Sequence, residues 1–231
     1  MTRFEVRGEL FKLKEENYKI FSEKLIPNHN DKIIGIRLPI LKKFAKEISK
    51  KIDVFDYLDN EKIYYHEEIL LYGFLTSMLK CDTDKMYYYI EKFSRLIDNW
   101  ANCDSIASAY KIFSDKNKDK SFDFLLKLLE NNPTVYQKRF VIVVLFRYYL
   151  TSDYITKACD IIFSIIDDDY YVKMAQAWAL CEVLTKDYVI GLEIIKTRKL
   201  DSFVHNKGIQ KARESYRIEK DKKVYLLTLK K

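Results

Sequence analysis

Apolar positions along the chain recur at helical spacing, and above that at a longer period. Over residues 4–26, Val6, Leu10, Leu13, Phe21 and Leu25 fall on one helical face. This predicts one helix, ended by Pro27-Asn28-His29-Asn30. Gly35-Ile36-Arg37-Leu38-Pro39 predicts a short turn with Pro39 at the first helical position. A helix running to about residue 51 follows, with Leu41, Phe44, Ala45 and Ile48 on one face, then a short helix over 54–58. From there one kind of helix start appears five times. It reads Tyr65-His66-Glu67-Glu68, Trp100-Ala101-Asn102-Cys103-Asp104, Tyr136-Gln137-Lys138-Arg139, Tyr171-Val172-Lys173-Met174 and His205-Asn206-Lys207-Gly208. The starts are 35, 36, 35 and 34 residues apart, and a fixed period of this size marks a helical-repeat array.

Each repeat reads as a helix pair. More polar first helices are predicted over 83–97, 120–131, 153–166 and 187–197, and more apolar second helices begin at the five aromatic or His positions. Asp82, Asp98, Ser121, Asp153, Asp187 and Asp201 stand where N-caps are expected, and Pro133 breaks the chain before a second helix. A last helix is expected over 219–229. The predicted fold is all-α: a curved, right-handed α-α superhelix of the ARM/HEAT-like solenoid kind. It forms one domain over 1–231, with capping helices over 1–60, tandem helix pairs over 61–216 and a C-terminal cap over 217–231.

Composition agrees. With 48% hydrophobic and 32% charged residues the chain suits a soluble folded protein. Only 5 Gly and 3 Pro are present, too few for the many turns of an all-β fold. The longest strong apolar run, 140–146, lies between Arg139 and Arg147 and is far too short to span a bilayer, so no membrane partner is expected. The N-terminal Met1-Thr2-Arg3-Phe4-Glu5 lacks the apolar core of a signal peptide. Four cysteines, at 81, 103, 159 and 181, form no CxxC pair. They read as reduced, mostly buried thiols of a cytoplasmic protein, and a monomer is the simplest expectation. The net charge of +7 adds nucleic acid or another polyanion as a partner.

Reading the second helices in register gives candidate chemistry. Counting each from its first aromatic or His as zero, positions 0, +3, +4 and +7 share a face. That face carries Trp100, Asp104, Tyr136, Arg139 and Trp178. A carboxylate among large aromatics stabilises a nearby cation, as do the aromatic faces themselves; a helix cap, or an ion pair such as Asp104 with Arg139, is the alternative use. Position +2 reads Glu67, Asn102, Lys138, Lys173 and Lys207, with Lys211, Arg213 and Arg217 continuing the cations. Such a ladder fits a phosphate backbone or a solvated polar edge. His205 reads as a cap or a phosphate contact. Neither His66 nor His205 has a second ligand at metal spacing, so no metal is expected. Gly-rich phosphate loops and Ser/His/Asp orders are not found.

The stretches 98–104, 137–140 and 171–178, with Gly35 to Pro39 and His205 to Ala212, resemble the HEAT-like-repeat DNA glycosylases of the AlkD type. The resemblance covers nearly the whole chain. It implies a solenoid cradling duplex DNA and hydrolysing the N-glycosidic bond of cationic N3- or N7-alkylated purines, without metal or organic cofactor. It implies Asp104 as the catalytic carboxylate, Trp100 and Trp178 as the tryptophans against the lesion, and Arg139 as a DNA contact. Lys138, Lys173, Lys207, Lys211, Tyr136 and His205 complete the expected DNA-binding set. The alternatives are a non-catalytic HEAT-like protein recognising damaged or unusual DNA, and a protein–protein scaffold.

Overall fold

A computed structural model describes residues 2–26, 32–60, 62–114, 118–130 and 132–231. Every regular element among them is helical, so the all-α reading holds. The helices fall into two compact units, Met1–Lys111 and Ile112–Lys231.

The first unit holds α1 (Arg3–Lys12), α2 (Glu16–Leu25), α3 (Leu38–Ile48), α4 (Val54–Asp59), α5 (His66–Ser77), α6 (Thr83–Leu96) and α7 (Trp100–Ala107). Its centre is α5, buried from His66 through Thr76. A helix apolar on all sides must be enclosed on all sides, and α3, α6 and α7 pack around it. Gly73 permits the closest approach: a Cβ there would stand 2.6 Å from Ile106 Cγ2 and 2.8 Å from Phe93 Cε2. Tyr72, Phe93 and Tyr110 complete the aromatic core.

The single helix expected over 4–26 is two helices, and the chain leaves helical geometry around Leu13–Glu15. Neither Gly nor Pro stands there. A tertiary bond makes the break, because the Glu15 N–H donates to the Gly35 carbonyl at 2.9 Å. Gly35 has φ of 96°, and a Cβ at this position would stand 2.6 Å from Lys19 Cβ and 2.9 Å from the Glu15 carbonyl oxygen. Both the backbone angle and the space therefore require glycine. The expected stop at Pro27 to Asn30 lies outside the described residues. Pro39 is the second residue of α3 rather than its first.

The second unit holds α8 (Lys118–Glu130), α9 (Val135–Tyr148), α10 (Ile155–Ser164), α11 (Tyr170–Lys186), α12 (Tyr188–Thr197), α13 (Ser202–Glu214) and α14 (Lys220–Thr228). The 140–146 run forms the middle of α9 and is buried throughout. The long α11 packs against α9, α12 and α13. Gly208 lets α13 close on α11, where a Cβ would meet Leu180 Cδ2 at 2.6 Å.

The helix pairs stand where the periodicity puts them, with bounds shifted by three residues or fewer. The largest shift at a second-helix start is at α13, which begins at Ser202 because Asp201 caps the Phe203 and Val204 N–H groups. Asp82 and Asp187 also cap as expected. Asp98 does not: Asn99 caps α7, and Asp98 accepts from the Asn99 and Asn102 side-chain amides, both at 2.8 Å. Ser121 lies inside α8, fully buried, and Asp153 precedes α10 without capping it.

Polar groups concentrate at the starts of the second helices. Of the buried polar residues, His66, Glu67, Glu68, Asn99, Asn102, Gln137, Arg139 and His205 lie there. Glu67 is 1% exposed, and its carboxylate accepts from three successive N–H groups: Ile34 at 2.9 Å, Gly35 at 2.8 Å and Ile36 at 3.2 Å. It thereby holds the turn before α3. Glu68 receives both the Arg7 guanidinium, at 2.8 and 3.0 Å, and the N–H groups of Tyr64 and Tyr65. These bonds dock α1 on α5. An amide at position 67 keeps the shape but turns its NH2 toward the donor or donors that one carboxylate oxygen accepted from. Glu67→Gln is expected to lower stability by about 2–3 kcal/mol, seen as a lower urea midpoint at unchanged slope; an unchanged midpoint would remove this lock from the account.

Candidate functional site

In the first unit, Trp100 opens α7 and Asp104 follows one turn later on the same face. The Asn99 side chain starts this helix by accepting from the Ala101 and Asn102 N–H groups at 2.9 and 3.1 Å. Asn102 and Cys103 then turn inward, each fully buried, which leaves Trp100 and Asp104 half-buried. Full burial gives Cys103 a core role. The Trp100 indole N–H donates to the Leu25 carbonyl at 3.3 Å. Its ring borders a cavity of about 140 Å³ whose walls include Tyr18, Phe21, Leu25, Ile36 and His66. Several of these walls are aromatic or aliphatic. The indole is therefore held at its edge while part of its surface stays accessible.

In the second unit, Trp178 sits in the middle of α11 and is half-buried. Its indole N–H donates to Glu182 Oε1 at 3.2 Å, one turn along the helix. Glu182 is itself held by Arg217 through two bonds of 2.6 and 3.0 Å. Glu182 in turn raises the Arg217 guanidinium above its ordinary pKa. The Phe146 ring lies 4.6 Å from the Trp178 ring, and the Arg147 guanidinium lies over it at 5.9 Å. Sequence reasoning missed Glu182, Arg147 and Arg217 as partners of this tryptophan. The i, i+4 spacing of Trp178 and Glu182 was the available signal for the first.

The expected DNA-binding residues occupy three settings, all in the second unit. Lys138 pairs with Asp167 at 2.7 Å, and Lys173 pairs with Asp168 at 3.0 Å and with Asp201 at 3.2 Å. These pairs raise the Lys173 ammonium above its usual pKa. Each lysine reaches forward to the loop or cap that precedes the next second helix, so both of these +2 positions link adjacent repeats. Arg139 is 4% exposed and donates to the Tyr171 carbonyl at 2.8 Å, another link of the same kind. Tyr136 packs its ring 5.6 Å from that of Tyr171. The third setting is α13. There Lys207 donates to Gln210 at 3.1 Å and Lys211 is partly exposed. His205 is 1% exposed, and its Nε2 bonds the Leu229 carbonyl at 2.8 Å, which ties α13 to the last helix.

Among the described residues no helix is long and apolar enough to cross a membrane. A family model described as DNA alkylation repair enzyme matches residues 6–207. No curated protein and no solved structure matches the chain.

The Lys138–Asp167 link has a pH signature. Burial alone would raise the Asp167 carboxyl, but the Lys138 ammonium, the Asp169 N–H and Lys173 outweigh it and leave the pKa below the ordinary value. A carboxyl depressed in the folded state stabilises above its unfolded pKa of about 3.9 and loses that contribution as pH falls through the folded value. Asp167→Asn is therefore expected to destabilise the protein at neutral pH. The gap to the unaltered protein should close between about pH 5 and about pH 2, as followed by urea unfolding across that range. A gap that stays constant with pH would show that the pair does not stabilise the fold.

Proposed function

Because the chain belongs to the DNA alkylation repair enzyme family, we propose that it is a DNA glycosylase. On this reading it hydrolyses the N-glycosidic bond of purines alkylated at N3 or N7 in duplex DNA. The observation that carries the reading is the pairing of Trp100 with Asp104 one turn apart on α7, both half-buried, with the indole edge held by the Leu25 carbonyl.

The chemistry asks little of the protein's acids. An alkylated purine already bears a positive charge, so its departure needs no proton. The bond between C1′ and the purine nitrogen breaks, its electron pair neutralises the base, and positive charge passes to the deoxyribose. The Asp104 carboxylate stabilises that charge as it forms and orients the water whose oxygen adds to C1′. The water proton leaves to the carboxylate or to solvent, and the products are a neutral free base and an abasic sugar. Trp100, one turn from Asp104, offers a π face to the cationic sugar, and Trp178, in the second unit, offers one to the duplex. Glu182 limits the rotation of Trp178 by holding its N–H.

DNA backbone contacts fall to the cations of the second helices. Lys207 and Lys211 have no carboxylate partner among the pairs described. Lys138 and Lys173 reach phosphate by exchanging an aspartate for it, and Arg139, Tyr136 and His205 hold the helices that present them. The test is release of free base from duplex DNA carrying N7-methylguanine. The unaltered protein is expected to release it, and Asp104→Asn to slow release by roughly 100-fold or more, the loss typical when one charge-stabilising group is removed. Release at an undiminished rate by the variant would overturn the mechanism. Salt-sensitive binding with no release by either protein would identify a non-catalytic DNA-binding member instead.

A further inference from the structure

The basic side chains around α9 and α11 are mostly spoken for. Lys138 and Lys173 lie against aspartates, Arg217 against Glu182, and Arg198 against Asp160. Arg147 differs. It is exposed, its guanidinium stands over the Trp178 ring, and it has no ion pair among the described residues. The carboxylate bonded to the Trp178 N–H, Glu182, is taken up by two bonds from Arg217. The immediate surroundings of Trp178 thus contain Arg147, Arg217 and Glu182, and one positive charge is left over on Arg147.

A cation in the last turn of α9 suits the negative end of that helix. The helix end alone, however, does not call for a guanidinium 5.9 Å from the centre of an indole ring. The exposed Arg147 guanidinium carries its N–H donors in a planar fork. A fork of this kind matches two oxygens of one phosphate.

We infer that Arg147 is a phosphate-binding residue, clamping one phosphodiester group beside the Trp178 ring. The inference rests on the DNA-binding reading above and adds a contact to it: the nucleotide that meets Trp178 is also held through its phosphate. The charge balance also separates Arg147 from Lys138. A DNA phosphate engaging Arg147 displaces counterions and no aspartate, whereas one engaging Lys138 must displace Asp167.

The test is binding of the full chain to unmodified duplex DNA over a salt series, comparing Arg147→Ala and Arg147→Lys with the unaltered protein. One phosphate contact contributes about 0.9 to the slope of log affinity against log salt, worth roughly eight-fold at 0.1 M salt. Arg147→Ala is expected to lose that much slope and affinity. Arg147→Lys should keep the slope and bind more weakly, since charge survives and the fork does not. Thermal unfolding of each variant separates lost contact from lost fold, and the exposed Arg147 is expected to change it little. A slope for Arg147→Ala equal to that of the unaltered protein overturns the proposal while leaving DNA binding in place. Absence of any binding by the unaltered protein overturns the functional reading, and the proposal with it.

Discussion

The fold depends on satisfying polar groups that stacking buries at the starts of the second helices. The first N–H groups of any helix lack partners within the helix. In a stack, the neighbouring repeat covers them and water is excluded, so an unpaired group there costs several kcal/mol. This chain answers with bonds between repeats or with side-chain caps. Glu67 holds the turn before α3, Glu68 holds Arg7, and Asn99 meets His66 at 3.1 Å. In the second unit Lys138, Arg139 and Lys173 reach the segments that open the next second helix. A period that looks like hydrophobic patterning is in equal measure a period of polar bonds.

That constraint sorts the residues available for chemistry. Positions turned to the neighbouring repeat are spent on structure, as with Asn102 at 0% exposure and Arg139 at 4%. Trp100, Asp104 and Trp178 keep accessible surface while their edges or backbones are fixed. On the proposed mechanism this division suffices, because the charged leaving group supplies the driving force. The protein needs one carboxylate, π surfaces and a grip on phosphate, and no strongly shifted acid or base.

Local signals were legible in the sequence and long-range ones were not. The helix pairs could be read because an amphipathic period is written within each segment, and α6, α8, α10 and α12 fall within three residues of their expected bounds. The break between α1 and α2 could not, since a carbonyl at Gly35 makes it and nothing near Leu13 announces it. Lys138 and Lys173 were legible as a register but not as links between repeats, because Asp167 and Asp201 lie about 30 residues from them; only Asp168 is close to Lys173 in sequence. Asp98 and Asn99 show the same limit at short range. Either side chain can cap, and the competing bond to Asn102 decides which one does. Glu182 was readable from its spacing to Trp178. Arg147 was visible as the end of an apolar run, but its position over an indole two helices along belongs to the packing alone.

The most direct measurement of the central claim compares base release from two duplexes that differ only in charge at the lesion. One carries N7-methylguanine, which is cationic. The other carries the neutral isostere in which carbon replaces nitrogen at position 7 and keeps its methyl group. A protein that acts by stabilising the charge passed to the sugar from an already cationic base is expected to release the first and leave the second intact. Release of both at similar rates would show that the protein activates the leaving group itself, and would contradict the account.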